Sequence, residues 1–345
     1  MYEASTFHGC RVHHNIALCH ASSVIRLSLL TLTATLALAQ TSISVPAGTD
    51  AGTEIPIAII KGAKPGPTLA VIAGISGTAY GPVSGLQQLA ANLNPAELSG
   101  TLILVPLANV PAFLARSIYL SPVDHKDLSR AFPGKPDGTL TERIAHALTT
   151  QVIAKADAVI IADAGGTNTM LTNHVFQYAT SDPKLATQIA SMAMAFGVSY
   201  IVNAKASPTS PEGVALAQSK PVLKVMCGGF GLNDSRTTDV ITKGVLAMLN
   251  LQGMIKDAAG KTRSPVYFDS VSTIESSLTG YLTVYAQRGQ SIRKGEALYG
   301  ISGYLGKAPQ MFNCPFDGII LSLTATPPIS KGEPIAVIGM PRRDP

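Results

Sequence analysis

The sequence predicts an α/β domain, a sheet flanked by helices, followed by a C-terminal all-β domain. Between residues 68 and 255, apolar runs of strand length alternate with amphipathic stretches of helix length. Around Ala258 the helical spacing stops, and short β-branched or aromatic runs separated by glycine-containing turns continue to the end. The 345 residues are 46% hydrophobic and 14% charged, which suffices for a sizeable core. That excludes a disordered chain, a collagen-like repeat and a small disulfide scaffold.

Residues 1–39 read as a secretory signal. An apolar stretch over 27–38 ends in Ala37-Leu38-Ala39 before Gln40, with Arg26 as its basic flank. The segment ahead of it is long for a signal of ~15–30 residues in all, whereas a start at Val24 gives a compact one. About a dozen apolar residues fall short of the ~20 that span a bilayer. Export to the periplasm or the exterior is the expectation, with no membrane span in the mature chain.

The α/β domain is expected over 40–258. Strands are predicted over 68–75, 101–107, 157–162, 199–202 and 221–226, and helices over 83–93, 140–155, 183–196 and 237–255. The second helix is the best signalled, because Thr139 followed by Glu142 forms a capping box ahead of the stripe Leu140, Ile144, Leu148 and Val152. Glu142 and His146 stand four apart on it, which suits either a shared metal or a surface hydrogen-bonded pair. The β-domain is expected over 259–345. Its turns at Arg288-Gly289-Gln290, Lys294-Gly295-Glu296, Phe316-Asp317-Gly318 and Lys331-Gly332-Glu333 fall in two similar halves that resemble the barrel-sandwich layout of biotinyl and lipoyl carrier domains. No lysine is flanked as a carrier lysine should be, so the module reads as structural.

The 26 basic and 21 acidic residues give a net +5 without any run of Lys or Arg, which argues against a nucleic-acid partner. Beyond residue 39 the histidines are His125, His146 and His174, and the cysteines are Cys227 and Cys314. Spacing alone leaves open whether the two cysteines bond. Cys227 reads as a buried thiol or, less simply, a nucleophile. Gly74-Ile75-Ser76-Gly77-Thr78 approaches a nucleophile elbow but has Thr78 where that motif needs glycine.

Five segments carry a resemblance. In order they are Ala73-Gly74-Ile75-Ser76-Gly77-Thr78-Ala79-Tyr80-Gly81, Asn109-Val110-Pro111-Ala112-Phe113, Asp127-Leu128-Ser129-Arg130-Ala131-Phe132-Pro133-Gly134, Ala158-Val159-Ile160-Ile161-Ala162-Asp163-Ala164-Gly165-Gly166 and Val225-Met226-Cys227-Gly228-Gly229. Together they resemble the succinylglutamate desuccinylase/aspartoacylase family. The resemblance implies a zinc-carboxypeptidase-like mixed sheet with an added C-terminal β-domain. It also implies a zinc ion held by two histidines and a glutamate, a second glutamate as general base, and arginines that grip a substrate carboxylate.

The sequence departs from that pattern where the chemistry lies. Ser76 and Ala79 stand at the first two metal-ligand positions, Asp163 at the third and Met226 at the general-base position. Zinc takes nitrogen, thiolate or carboxylate donors, three of them from protein in a catalytic site, and a thioether accepts no proton. The expectation is therefore a catalytically degenerate relative with no metal and no cofactor. Arg130 and Arg116 are candidates for binding a small carboxylate, although Arg130 could equally pair with Asp127. Asn109, Gly165 and Gly166 complete the candidate ligand site, the glycines allowing close approach at a strand end. A protein partner is the other expected occupant. The alternative is an active zinc-dependent hydrolase of the same family acting on an acyl-amino acid, peptide or ester.

Overall fold

The computed structural model describes residues 38–256 and 264–342. The predicted signal over 1–39 lies outside them but for its last two residues, and the predicted domain boundary after residue 258 lies outside them altogether. The first strand runs to either side of the predicted cleavage point.

The main sheet is built from β1 (Leu38–Val45), β2 (Thr53–Lys61), β3 (Lys64–Ala73), β4 (Ser99–Val105), β5 (Ala158–Asp163), β6 (Thr169–Leu171), β7 (His174–Tyr178), β8 (Tyr200–Ala204) and β9 (Val222–Met226). Its order begins β1-β2-β4-β3-β5-β9-β7-β8. Strands β4, β3, β5 and β9 run parallel, β2 runs antiparallel to β4, and β7 runs antiparallel to β9 but parallel to β8. Because β3 connects outward to β4 on one side while β4 returns to β5 on the other, a crevice opens at the carboxyl ends of β3 and β5, the usual ligand position in open α/β sheets.

The helices are α1 (Tyr80–Asn92), α2 (Val110–Leu114), α3 (Leu140–Gln151), α4 (Pro183–Ala195), α5 (Pro211–Ala217) and α6 (Ser235–Leu251). The predicted strands and long helices are all present, with ends displaced by a few residues. Alternation along each strand assigns its side chains to two cores. Leu69, Val71 and Ala73 of β3 meet α1, α4 and α6, whereas Ala70 and Ile72 meet the face that α3 and α5 cover. Helices α1 and α6 approach closely through glycine. A Cβ at Gly81 would stand 2.3 Å from Thr237 Cγ2, and one at Gly85 would stand 2.8 Å from Ile241.

The predicted capping box forms, with the Thr139 amide donating to Glu142 Oε2 at 3.0 Å. Glu142 also pairs with Lys126 at 3.0 Å, so it is engaged away from His146. Asp124 ties the preceding loop to the same helix end, accepting from the Thr141 amide at 2.9 Å and the Thr141 hydroxyl at 2.7 Å.

The C-terminal strands are β10 (Val266–Glu275), β11 (Gly280–Val284), β12 (Ser291–Ile292), β13 (Ala297–Ser302), β14 (Gln310–Asn313), β15 (Gly318–Thr324), β16 (Pro328–Ile329) and β17 (Pro334–Pro341). One four-stranded sheet, β14-β13-β11-β16, faces strands β10, β17, β15 and β12 across a core that includes Leu282, Leu298, Ile320 and Ile338. The second group is continuous with the main sheet, since the start of β10 pairs in parallel with β8 before β10 continues antiparallel to β17. Cys227 and Cys314 are free and buried in different cores. No helix of the described residues is long and apolar enough to cross a membrane.

Two outcomes follow from this packing. Gly85→Val, which forces a branched side chain against Ile241, is expected to cost about 1–3 kcal/mol in chemical denaturation. Burial pushes the Asp124 carboxyl up, but the bonds from Thr141, Thr139 and Ser121 outweigh it and hold it at about 2. Its native value lies below the unfolded value of ~3.9, so the stability it adds is present above that value and lost as pH falls towards 2. Asp124→Asn should lower stability at pH 7 by on the order of 1–2 kcal/mol after solvent screening, with the gap to the parent closing between pH 4 and pH 2.

Candidate functional site

A cavity of about 670 Å³ opens at the carboxyl ends of the central strands. Three of its contributors follow directly from the parallel register, in which Ala73 pairs with Ala162 and Asp163 with Met226. Ser76 follows the end of β3, Asp163 ends β5 and Met226 ends β9, and all three line the cavity.

Ser76 lies in a tight turn, where its hydroxyl is 3.2 Å from that of Thr78 and accepts from the Thr78 amide at 3.4 Å. Gly77 has no room for a side chain, since a Cβ there would stand 2.4 Å from the Ala112 and Ser117 carbonyl oxygens. Ala79 is fully buried ahead of α1 and is not among the cavity-lining residues. Asp163 is 8% exposed, and its Oδ1 accepts from the Ala164 amide at 2.9 Å. The other carboxylate oxygen, Oδ2, faces the Lys224 ammonium at 3.5 Å.

Lys224 is the residue that sequence reasoning missed. Alternation along β9 sends Leu223 and Val225 into one core and turns Lys224 and Met226 to the opposite face. There the ammonium also meets Glu212, at the start of α5, at 3.6 Å. Burial pulls the Lys224 value down, but the Asp163 and Glu212 carboxylates outweigh it, and the net shift is upward, so the ammonium keeps its proton at neutral pH. The signal was present in Val222-Leu223-Lys224-Val225-Met226, because a charge in the middle of an apolar strand requires a buried partner. Beside Met226 on the neighbouring strand, His174 is 4% exposed, with Nδ1 2.7 Å from the Thr172 carbonyl oxygen. Burial first, and then Lys224, lower its value to about 4, so it is neutral at pH 7.

These residues do not fit a catalytic zinc. Ala79 offers no donor, the Ser76 hydroxyl is bonded locally, and the Asp163 carboxylate already faces an ammonium. Among the described residues, no three His, Cys, Asp or Glu side chains are gathered so as to hold a metal ion. Met226 has no basic atom, and burial holds the Cys227 thiol far above its usual range.

The candidate ligand residues divide. Arg130 lines the cavity with its side chain 83% exposed, and its Nε stands 3.6 Å from Asp127 Oδ2. Asp127 is held in turn by the Ser129 hydroxyl and amide at 2.7 and 2.9 Å. Gly165 and Gly166 line the cavity beside Asp163. Asn109 does not reach it, because its side chain accepts from the Ala112 amide and donates to the Ile75 carbonyl, which fixes the start of α2. Arg116 is exposed, has a φ of 55° and is not among the lining residues either.

The C-terminal module is more than a support. Strand β6 pairs with β15, which brings Ser322 and Thr324, together with residues 334–337 of β17, into the cavity wall. Tyr119 closes another side. Its hydroxyl is raised by burial and then by the negative charges of Asp163 and Asp127, so both carboxylates act on the same space.

Residues 65–252 match the succinylglutamate desuccinylase/aspartoacylase catalytic domain. The chain is 26% identical over 293 residues to the N-alpha-acetyl-L-2,4-diaminobutyric acid deacetylase of Halomonas elongata, covering 82% of this chain and 85% of that protein. It shares its fold with a succinylglutamate desuccinylase/aspartoacylase from Rhodobacter sphaeroides, at a TM-score of 0.81 and 24% identity over 89% of this chain and 96% of the other. A product-bound structure of the ectoine utilization protein EutE (DoeB) from Ruegeria pomeroyi gives a TM-score of 0.80 and 24% identity over 89% and 98%. With the matched domain spanning more than half its length, the chain belongs to the succinylglutamate desuccinylase/aspartoacylase family of amide-hydrolase-like deacylases.

Proposed function

We propose that this protein is an exported, non-hydrolytic member of its family that binds a small carboxylate-bearing ligand in the cavity beside Asp163. The observation that carries the reading is the Asp163–Lys224 contact. The one donor-bearing acid at the expected ligand positions is neutralised from within, while Arg130 remains exposed at the same cavity. Hydrolysis by this family's chemistry needs a polarised water and a base to take its proton, and neither Ser76, Ala79 nor Met226 supplies one. Arg130 supplies a guanidinium suited to a carboxylate. Export rests on the apolar stretch over 27–38 and the small residues that end it.

The test is zinc stoichiometry by elemental mass spectrometry on protein beginning at residue 40, together with assays on N-acetyl and N-succinyl amino acids. The expected result is far less than one zinc per chain and no turnover above the uncatalysed rate. One tightly held zinc per chain with turnover would establish an active hydrolase instead. In calorimetric titrations with small carboxylates, Arg130→Gln is expected to weaken binding about tenfold or more. Because this side chain is so exposed, the melting temperature of the variant should stay within about 1 °C of the parent.

A further inference from the structure

The charges beneath the cavity do not balance. One ammonium, Lys224, faces two carboxylates, Asp163 at 3.5 Å and Glu212 at 3.6 Å. Glu212 is 3% exposed, and its Oε1 has no hydrogen-bond partner. Both separations exceed the ~2.7–3.2 Å of a close N–H···O bond, so Lys224 is shared between the two acids at ion-pair distance. In the lining itself, Asp163 offsets Lys224 and Asp127 offsets Arg130. Glu212, which meets the same ammonium without lining the cavity, leaves one negative charge in excess around it.

An anionic group pressed onto this floor would meet net repulsion in a poorly solvated place, where charges act strongly. A cationic group would meet the opposite. The rim differs, because Arg130 is tethered to Asp127 only at 3.6 Å and is open to solvent. Between floor and rim stand the apolar side chains of Ile75, Leu171 and Ile335, and the volume of about 670 Å³ suits a small molecule.

We propose that the cavity takes a small zwitterion, its unacylated amine toward Asp163 at the floor and its carboxylate toward Arg130 at the rim. The inference rests on the non-hydrolytic reading above and adds to it the chemical class and orientation of the ligand. An N-acyl group would remove the charge that the floor selects and would press a carbonyl oxygen towards the Asp163 carboxylate.

Isothermal titration of the wild-type protein with the common L-amino acids, β-alanine and γ-aminobutyrate, each beside its N-acetyl derivative, tests this. At least one free amine is expected to bind at least about tenfold more tightly than its acetylated form and than the simple carboxylate of equal length. Asp163→Asn should reduce that preference to within about twofold. Glu212→Gln, which removes the excess charge without touching the cavity, should reduce it as well, and it serves where Asp163→Asn does not fold. Equal or tighter binding by the acetylated forms would overturn the inference and leave the non-hydrolytic reading intact, as would the absence of binding by every free amine at ~10 mM. Stoichiometric zinc with turnover would overturn the non-hydrolytic reading itself.

Discussion

The parallel ladder of β3, β5 and β9 is the constraint on which the rest of the molecule depends. It is buried on both faces, so its side chains divide between two cores, and its carboxyl ends can only emerge together at one edge. Ser76, Asp163 and Met226 are far apart in sequence and adjacent at that edge because this register leaves them no alternative. The helices follow from the same demand, each covering one set of alternating strand residues. A scaffold of this kind can preserve its crevice while the groups inside it change.

The site is marked by the way charge is held. Three positions where the family resemblance implies metal ligands carry a hydroxyl, a methyl group and a carboxylate, and the carboxylate is met by a lysine two residues before the strand end. Removing Lys224 would strand two carboxylates in a dry place, which costs several kcal/mol, so both acids depend on that one ammonium. Burial first, and then the Lys224 charge, keeps His174 neutral beside them.

Much of the architecture was legible in the sequence. The capping box at Thr139 and Glu142 and the stripe that follows it specify α3, and the uninterrupted apolar runs specify β3 and β5. The hairpin of β1 and β2 was not read, because residues such as Glu54 and Ser44 give it a mixed pattern at the sheet edge. Asn109 looked like a ligand-binding residue, but an asparagine before Val110-Pro111 has the chemistry of a helix cap, and it forms one. The contribution of Ser322 and Thr324 to the cavity depends on the pairing of β6 with β15, two short segments about 150 residues apart that no local pattern connects. Lys224 was legible as an anomaly, and only the fold shows what it answers.

The strand β10 has a mechanical consequence. Its first residues belong to the ladder of β8 and the rest to that of β17, so the α/β part and the β-module are joined by continuous backbone hydrogen bonding as well as by surface contact. Hinge opening would have to break ladder bonds in the middle of a sheet. Floor and wall therefore move as one body, and the aperture of the cavity is set by side chains such as Tyr119 and Arg130 at its mouth. The shape of this cavity is therefore altered by substituting the residues that face inward, while the ladder keeps the two parts in register.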